Sequence, residues 1–158
     1  MRSYAEGSRQ LLVGTQARLS SWRAGASTAR VIQLSGVQAG PGGGFQLGDG
    51  VLDLGSIRDT PMQAELVVIT APAPVEVQLA RAHAFLDAGA QTVVVEAWPA
   101  NDANRRRFIN SFYEALNQGR TVPRAVEQGR IAVHNDPLAG KGRQGPSVWG
   151  SWLLVGRP

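Results

Sequence analysis

Hydrophobic positions follow two different patterns along the chain. Leu66–Ile69 and Thr92–Val95 are short runs in which nearly every position is apolar or β-branched, and such runs are typical of strands buried on both faces of a parallel sheet. The intervening stretch, Val75–Ala88, instead spaces its large apolar residues as a helix does. These residues are Leu79, Ala82, Phe85 and Leu86. The patterns predict a strand, a helix and a second strand.

Similar patterns predict the other elements. Helices are expected over Gln16–Ala24, Ala103–Gln118 (capped by Asn101 or Asp102) and Pro123–His134, with a one-turn helix capped by Ser56, strands over Arg30–Leu34 and Val148–Val155, and a hairpin over Phe45–Leu54 around Gly48-Asp49-Gly50. The expected inward side chains are Ala17, Leu19, Trp22, Phe108, Ile109, Phe112 and Leu116. Because strands alternate with helices, we predict an α/β fold whose mostly parallel sheet is covered by helices on both faces. Sites in such sheets lie at the carboxyl ends of the strands, here Ser35, Thr70–Pro74 and Glu96–Asp102.

The composition is that of an ordinary globular domain and removes several kinds of chemistry. With 158 residues, 43% of them hydrophobic, the chain is expected to form one domain over residues 1–158, in which residues 1–10 are a candidate for disorder. It contains no cysteine, which excludes disulfides, thiolate metal sites and a thiol nucleophile. No apolar run approaches the roughly 18 residues of a membrane span, and no secretion signal is visible. We therefore expect a cytoplasmic protein without membrane contact, and we predict no cofactor and no metal.

The charge gives only a weak indication of partners. The net charge is +4, and nearly all of the basic excess is arginine because Lys141 is the only lysine. This field is modest, so a solvated surface is favoured over nucleic-acid binding. Arg105, Arg106 and Arg107 begin a predicted helix and project about 100° apart, so they do not form one flat patch. Cations are unfavourable at a helix N-terminus, which suggests compensation by Asp102, Glu76 or an external acid.

An ordered set of segments resembles the CHAT domain, a bacterial branch of the caspase–separase peptidase clan. "LVVITAP" resembles the strand that ends in Ser-Ala-Cys in that family, "LARAHAFLDAGAQTVVVEAWPANDA" resembles the following helix and strand, and "VWGSWLLVG" resembles the closing strand. The resemblance covers about Leu11 to Gly156 and implies a caspase-like three-layer sandwich. CHAT domains usually carry further strands before the point where Leu11 stands, so the amino-terminal part is expected to be shortened. A sheet that lacks a strand invites pairing with a partner.

The resemblance also implies that both members of the peptidase dyad are replaced. Active members use a histidine at the position of Ser35 and a cysteine at the position of Pro72. Proline has no nucleophilic atom and no N–H to donate to an oxyanion. A hydroxyl of Ser35 or Thr70 would need an adjacent base. Glu96 and Asp102 are the acidic residues expected near these strand ends, but no Ser-His-acid or Ser-Lys arrangement is visible in the sequence. We predict that the chain is not an enzyme.

Several other features have a functional and a plain interpretation. Gly40–Phe45 can approach a phosphate but lacks a P-loop ending, so a flexible linker is favoured. The loop Gly140–Gly145 places Lys141 and Arg143 where caspase-like folds line a peptide groove, although a solvent loop is favoured. For the remaining candidates, we expect Trp98, Trp149 and Trp152 to pack in the core or at the sheet edge, His83 to pack against apolar neighbours, and Glu96 to form an ion pair with an arginine.

These observations together favour an inactive caspase-like domain that works as a protein-interaction or regulatory module, in an oligomer or a hetero-complex. The candidate partner groove comprises Gly36, Thr70, Ala71, Trp98, Asp102, Lys141 and Arg143, beside the degenerate dyad positions Ser35 and Pro72. Strand addition at a sheet edge is a second mode of binding. The alternative is a nucleic-acid-associated accessory protein that uses its arginines. A third class, an unrelated hydrolase at the same groove, requires a base near Ser35 or Thr70.

Overall fold

A computed structural model of the chain describes residues 9–13, 17–136 and 145–157. The strands are β1 (Arg9–Val13), β2 (Val31–Ser35), β3 (Gln38–Ala39), β4 (Phe45–Leu47), β5 (Gly50–Leu52), β6 (Leu66–Thr70), β7 (Thr92–Glu96) and β8 (Trp152–Gly156). The helices are α1 (Leu19–Gly25), α2 (Leu54–Arg58), α3 (Val75–Asp87), α4 (Asp102–Asn117), α5 (Val122–His134) and α6 (Pro146–Trp149), with a 3₁₀ turn at Pro41–Gly43. No helix in these ranges has the length and apolar character needed to cross a membrane.

The main sheet has five strands in the order β1-β2-β6-β7-β8. The first four run parallel and β8 is antiparallel to β7. The register places Ser35 level with Thr70, and the pairing of Ile69 with Val95 places Glu96 next in line. The carboxyl ends of β2, β6 and β7 therefore meet at one edge, as predicted.

Alternate side chains of the strands enter two separate hydrophobic clusters. Ile32, Val67 and Val93 lie in one cluster with residues of α1, α2 and α3, whereas Leu66 and Val94 lie in the other with residues of α4 and α5. The two clusters occupy opposite faces of the sheet because successive side chains of a strand point to opposite sides. This arrangement confirms the predicted α/β sandwich with a mostly parallel sheet and helices on both faces.

A second, three-stranded sheet follows β2, in the order β3-β4-β5. The predicted hairpin is confirmed as β4 and β5, and β3 adds one strand that the sequence pattern does not reveal. Asp49 in the hairpin turn accepts a hydrogen bond from the backbone N–H of Leu19 at 2.6 Å, which ties the turn to the first residue of α1. The predicted cap of the one-turn helix is wrong, because Asp53 caps α2 by accepting the N–H of Ser56 at 2.8 Å.

Two further differences lie near the ends of the chain. Strand β1 was not predicted; it includes residues 9 and 10 of the stretch expected to be disordered, and residues 1–8 lie outside the described part. The predicted strand Val148–Val155 is wrong at its start, because Pro146–Trp149 forms the short helix α6 and β8 begins at Trp152. Proline is favoured in the first turn of a helix, and Ser151 stabilises this turn by donating to the carbonyl of Ser147 at 2.9 Å.

Candidate functional site at the carboxyl ends of the strands

The hydroxyl groups of Ser35 and Thr70 bind each other at the edge where β2 and β6 end. Thr70 Oγ1 donates to Ser35 Oγ at 3.0 Å and lies 3.4 Å from the carbonyl oxygen of Leu34. Thr70 is 1% exposed, and Ser35 is half-buried. Within the described ranges, neither hydroxyl bonds a histidine, a carboxylate or a lysine. Neither oxygen therefore has an adjacent base to activate it.

The turn after β6 connects Thr70 to α3 and contains Pro72. Ala71 is fully buried and Pro72 is exposed. The carbonyl of Ala71 accepts two side-chain hydrogen bonds from α3, at 2.7 Å from Gln78 Nε2 and at 3.2 Å from Arg81 Nη1. Polar side chains of the following helix α3 therefore fix the position of this turn.

Gln78 links the ends of two strands through one amide group. Its Nε2 donates to the carbonyl of Ala71 and also to the carbonyl of Glu96, at 2.8 Å. Its Oε1 accepts from Arg81 at 3.3 Å. Gln78 is fully buried, so these bonds replace those that its amide would otherwise make with water.

Arg81 is a fully buried arginine that binds backbone carbonyls instead of a carboxylate. Its Nε donates to Gly43 O at 2.7 Å and its Nη2 donates to Gly44 O at 2.8 Å, while its guanidinium lies 4.2 Å from the centre of the Phe45 ring. Burial lowers the pKa of Arg81 to about 10. The flexible linker predicted for this glycine-rich stretch is wrong, because Arg81 fixes its carbonyls to α3.

Sequence reasoning missed both Gln78 and Arg81. It assigned Leu79 to the inner face of α3, but Leu79 is 36% exposed. The helix buries Gln78, Arg81, Ala82 and Phe85 on one face. The spacing of Gln78 and Arg81, three residues apart and seven and four residues before Phe85, places both on the same helix face as Phe85. The sequence interpretation instead chose the neighbouring Leu79 as the inward residue because it is apolar.

Glu96 forms the predicted ion pair with an arginine. Its side chain is fully buried, and Arg105 binds both carboxylate oxygens, Nε to Oε2 at 2.7 Å and Nη2 to Oε1 at 2.9 Å. The N–H of Ala100 donates to Oε1 at 2.6 Å, and Arg105 Nη1 reaches Asp102 at 2.6 Å. The hydrogen bonds that Arg105 donates to Glu96 raise the pKa of Arg105 despite its partial burial. Both carboxylates that were candidate bases are therefore occupied.

The three consecutive arginines of α4 diverge, as the spacing predicted. Arg105 turns to Glu96, Arg107 forms an ion pair with Asp136 at 2.6 Å, and Arg106 is exposed. Of the acids expected to compensate them, Asp102 does so and Glu76 forms no ion pair with them among the described residues. Two of the three charges are thus neutralised within the chain.

The candidate groove is only partly open. Gly36, Trp98 and Asp102 are exposed at the strand ends, whereas Thr70 and Ala71 are buried beneath them. Lys141 and Arg143 lie outside the described residues. The exposed positions Gly36, Pro72, Trp98 and Asp102 form what we call the strand-end rim.

The prediction that Trp98 packs in the core or at the sheet edge is wrong. Trp98 is 48% exposed, because β7 ends at Glu96 and the last sheet hydrogen bond joins Ala97 N to Ser151 O at 2.6 Å. Trp152 does pack as expected, stacked on Phe108 with ring centres 4.0 Å apart. A large aromatic ring held in solvent on a loop is a common feature of binding surfaces.

The histidines stand on helices, as expected, but His83 does not pack against apolar neighbours. It is exposed on α3, two residues after Arg81 and therefore on the other side of the helix. His134 is half-buried at the end of α5, where its ring meets Trp149 edge-on with centres 6.1 Å apart. Neither histidine takes part in the hydrogen bonds around Ser35 and Thr70.

Comparison with known proteins gives one family and two related chains. The profile of the CHAT domain family matches residues 20–157. A human protein named "Tetratricopeptide repeat protein 28" is 35% identical over 78 residues, and the mouse protein of the same name is 32% identical over 78 residues. Each alignment covers 49% of this chain and 3% of the relative, so the chain corresponds to a small part of these long proteins. Both relatives are mammalian, and the bacterial origin implied by the resemblance stays a prediction.

Proposed function

Because the chain belongs to the CHAT domain family, we propose that it is an inactive member of this peptidase-like family and works as a protein-interaction module. The observation that carries the proposal is the hydrogen bond between the hydroxyls of Ser35 and Thr70, beside an exposed Pro72. Two hydroxyl groups without a base, next to a proline, provide no nucleophile and no route for a proton.

The carboxylates near the strand ends support the same conclusion. Glu96 is bound by Arg105 and by the N–H of Ala100, and Asp102 is bound by Arg105. The oxygens of these two carboxylates are therefore bonded to Arg105 and Ala100, and among the described residues neither carboxylate bonds the hydroxyl of Ser35 or Thr70. An unrelated hydrolase at this edge would require Glu96 or Asp102 to leave Arg105.

A cleavage assay tests the absence of peptidase activity. The purified chain is incubated with a library of peptides and the products are identified by mass spectrometry, with Ser35→Ala, Thr70→Val and Ser111→Ala as variants. Ser111 serves as the control because its hydroxyl lies on α4 and bonds the carbonyl of Gln128. We expect no specific cleavage. A cleavage that Ser35→Ala or Thr70→Val abolishes and Ser111→Ala retains would overturn the proposal.

The strand-end rim is the surface proposed for partner binding. Trp98 provides a large apolar area, and the loop that carries it is fixed by the bonds of Glu96 and Arg105 to Ala100. A fixed aromatic side chain loses little conformational entropy when a partner covers it, which is why such residues often dominate binding energies. Pro72 and Gly36 add a rim without long mobile side chains.

The partner class proposed for this surface is a helical repeat array or a second copy of the chain. Support comes from the related human and mouse chains, which are named as tetratricopeptide repeat proteins. Such repeats stack helix pairs into extended concave surfaces that bind other protein segments. The CHAT domain would then be one half of a contact whose other half is the repeat array.

Light scattering tests the interaction. The mass of the chain is measured alone over a range of concentrations and after mixing with a tetratricopeptide repeat segment of the human relative. We expect a defined oligomer or a complex that Trp98→Ser weakens by about tenfold or more. His83→Ser, on an exposed position of α3, is the control that leaves the mass unchanged. A monomer under all conditions, or an assembly insensitive to Trp98→Ser, would contradict the proposed surface.

The alternative of a nucleic-acid-associated protein has less support. Arg105 and Arg107 are paired with acids of the same chain, which leaves Arg106 as the exposed member of the group. Binding to a generic DNA duplex that falls steeply with salt, and that Arg106→Gln weakens, would revive this alternative.

A further inference from the structure

A second surface, with lining residues that differ from those of the strand-end rim, lies between α5 and α6. We call it the α5–α6 groove; it has a volume of about 360 Å³ and is lined by Glu127, Arg130, Ile131, His134 and Trp149. Ile131 is 42% exposed although it is a large aliphatic side chain. His134 meets the ring of Trp149 edge-on, so two aromatic rings line the groove together with Ile131. A cavity of this size holds one large side chain and its backbone neighbours.

The polar group of the groove is an arginine whose hydrogen bonds are incomplete. Arg130 Nη2 donates to the carbonyl of Trp152, at the start of β8. Its Nε is buried and has no hydrogen-bond partner, and no carboxylate within the described ranges forms an ion pair with it. The buried Nε is out of reach of a ligand, so the guanidinium charge without an acidic partner among the described residues is what favours an acidic ligand. A guanidinium binds carboxylates strongly through its charge and its several N–H groups.

The charges around the groove favour an acidic ligand. Glu127 already binds Arg124 at 2.8 Å, so the one acid that lines the groove has a cationic partner. In the sequence, residues 137–144 contain no aspartate or glutamate, and they add Lys141 and Arg143 close to the groove along the chain. That segment therefore supplies no carboxylate side chain to pair with Arg130.

We propose that the α5–α6 groove binds an acidic segment of a partner protein. The segment places one aromatic or branched aliphatic side chain between Ile131 and Trp149, and a neighbouring carboxylate accepts hydrogen bonds from Arg130. The apolar wall selects against a bare phosphate or a nucleic-acid backbone, which would leave Ile131 uncovered. Its lining residues are not members of the strand-end rim, so substitutions can test the two surfaces separately.

A matched pair of short peptides tests the proposal. The probes are acetyl-Gly-Glu-Phe-Glu-Gly-amide and its charge-reversed form, acetyl-Gly-Lys-Phe-Lys-Gly-amide, titrated into the chain while the indole N–H signals are recorded by NMR. The chain has four tryptophans, and a Trp149→Phe variant identifies the signal of Trp149. We expect the acidic peptide to shift that signal with a dissociation constant of about 1 mM, which is ordinary for so small a ligand. The basic peptide should bind about tenfold more weakly or worse.

Surface variants locate the binding. Ile131→Ser removes the exposed apolar wall and should weaken the acidic peptide about tenfold, since the side chain buried in a pocket carries most of the affinity. Leu79→Ser is the matched control, because Leu79 is also a large exposed aliphatic residue but stands on α3. Arg130→Lys keeps the charge and removes the planar fork, and should weaken the acidic peptide without improving the basic one. Thermal unfolding confirms that each variant is folded.

Four results would overturn the proposal. The first two are that the acidic peptide does not shift the Trp149 signal up to about 10 mM, and that the acidic and basic peptides bind with equal affinity. The third is that Ile131→Ser leaves the affinity for the acidic peptide unchanged. The fourth is that free 3-phenylpropionate binds as tightly as the acidic peptide, which would make the groove a small-molecule site. Failure of the strand-end rim in light scattering would leave these NMR results unaffected, so the two surfaces are tested separately.

Discussion

Arg105 binds both oxygens of the buried carboxylate of Glu96, at 2.7 and 2.9 Å. The same two residues also bind the N–H and the carbonyl oxygen of Ala100, at 2.6 and 2.8 Å. The loop that carries Trp98 is therefore attached to the sheet through an ion pair and to the first turn of α4. The exposed side chain of Trp98 thus stands on a loop whose backbone is fixed at Ala100.

The neighbouring arginines of α4 allow a matched test of this ion pair. Arg105→Met leaves Glu96 buried without a counter-ion, and we expect a loss of roughly 3 kcal/mol in the free energy of unfolding, at the low end of the range for broken buried pairs because Arg105 is 20% exposed. Arg106→Met changes an exposed side chain and should stay within about 0.5 kcal/mol. Urea unfolding measures both. Equal effects of the two substitutions would show that the pair does not hold the loop.

Arg81 is expected to be as sensitive, for a different reason. Arg81→Met removes the donors to the carbonyl of Gly43 and to Oε1 of the buried Gln78, whereas the carbonyls of Gly44 and Ala71 keep the N–H of Gly40 and Nε2 of Gln78. A buried polar group that loses its partner destabilises a protein by about 1–3 kcal/mol before relaxation. We expect a total loss of about 3 kcal/mol or more in urea unfolding.

A lysine at this position should recover only part of that loss, because one ammonium cannot reach three carbonyls that a planar fork serves together. His83→Gln, exposed on the same helix, is the control and should be neutral. Full recovery by Arg81→Lys would mean that charge, and not the fork geometry, fixes the glycine-rich stretch.

The order of the elements was predictable because it depends on local patterns. Continuous runs such as Leu66–Thr70 and the helical spacing of Phe108, Phe112 and Leu116 each fix one element, and the alternation of the elements fixes the class of fold. Strand β3 has two residues, and β1 contains an apolar run of three residues, Leu11–Val13, so both depend on pairing with neighbours that a local pattern does not show.

Acid unfolding provides a test of the contact between the hairpin turn and α1. The hydrogen bond from the N–H of Leu19 holds the pKa of Asp49 below its ordinary value of 3.8. A lowered pKa in the folded state contributes stability that is fully present above the unfolded value and is lost as the pH falls through the folded value. Asp49→Ala should therefore lower Tm at about pH 7, and this difference should close below about pH 3.8.

Asp59→Ala is the control for this series. Asp59 is exposed at the end of α2, and its side chain makes no hydrogen bond among the described residues. Because no hydrogen bond is lost among the described residues, we expect Asp59→Ala to leave Tm at about pH 7 close to that of the wild type. A difference at Asp49 that persisted in acid would mean that the carboxylate charge is not what the N–H of Leu19 recognises.

The site was less predictable than the fold. The carboxyl ends of the strands and the pair formed by Glu96 were predicted, since a buried acid after a strand needs a cation. The exposure of Trp98 and His83 and the burial of Gln78 and Arg81 were not. Each of these depends on which face of its segment meets the rest of the chain. Hydrophobicity alone gives the opposite answer at Trp98, Gln78 and Arg81, and His83 was expected inside because its helix is apolar.

The last prediction tests whether the ring of Trp98 is free in solution, as a binding surface requires, and contributes little to stability. Trp98→Phe should leave the free energy of unfolding within about 0.5 kcal/mol, because an exposed ring contributes little to packing. The substitution should also remove much of the tryptophan fluorescence that iodide quenches, since Trp98 is 48% exposed while Trp22 and Trp152 are buried. Trp22→Phe is the control and should leave the quenched fraction unchanged. A quenched fraction that Trp98→Phe does not reduce would mean that the ring is covered in solution, either by the chain itself or by a second copy, and light scattering of the same sample distinguishes these two cases.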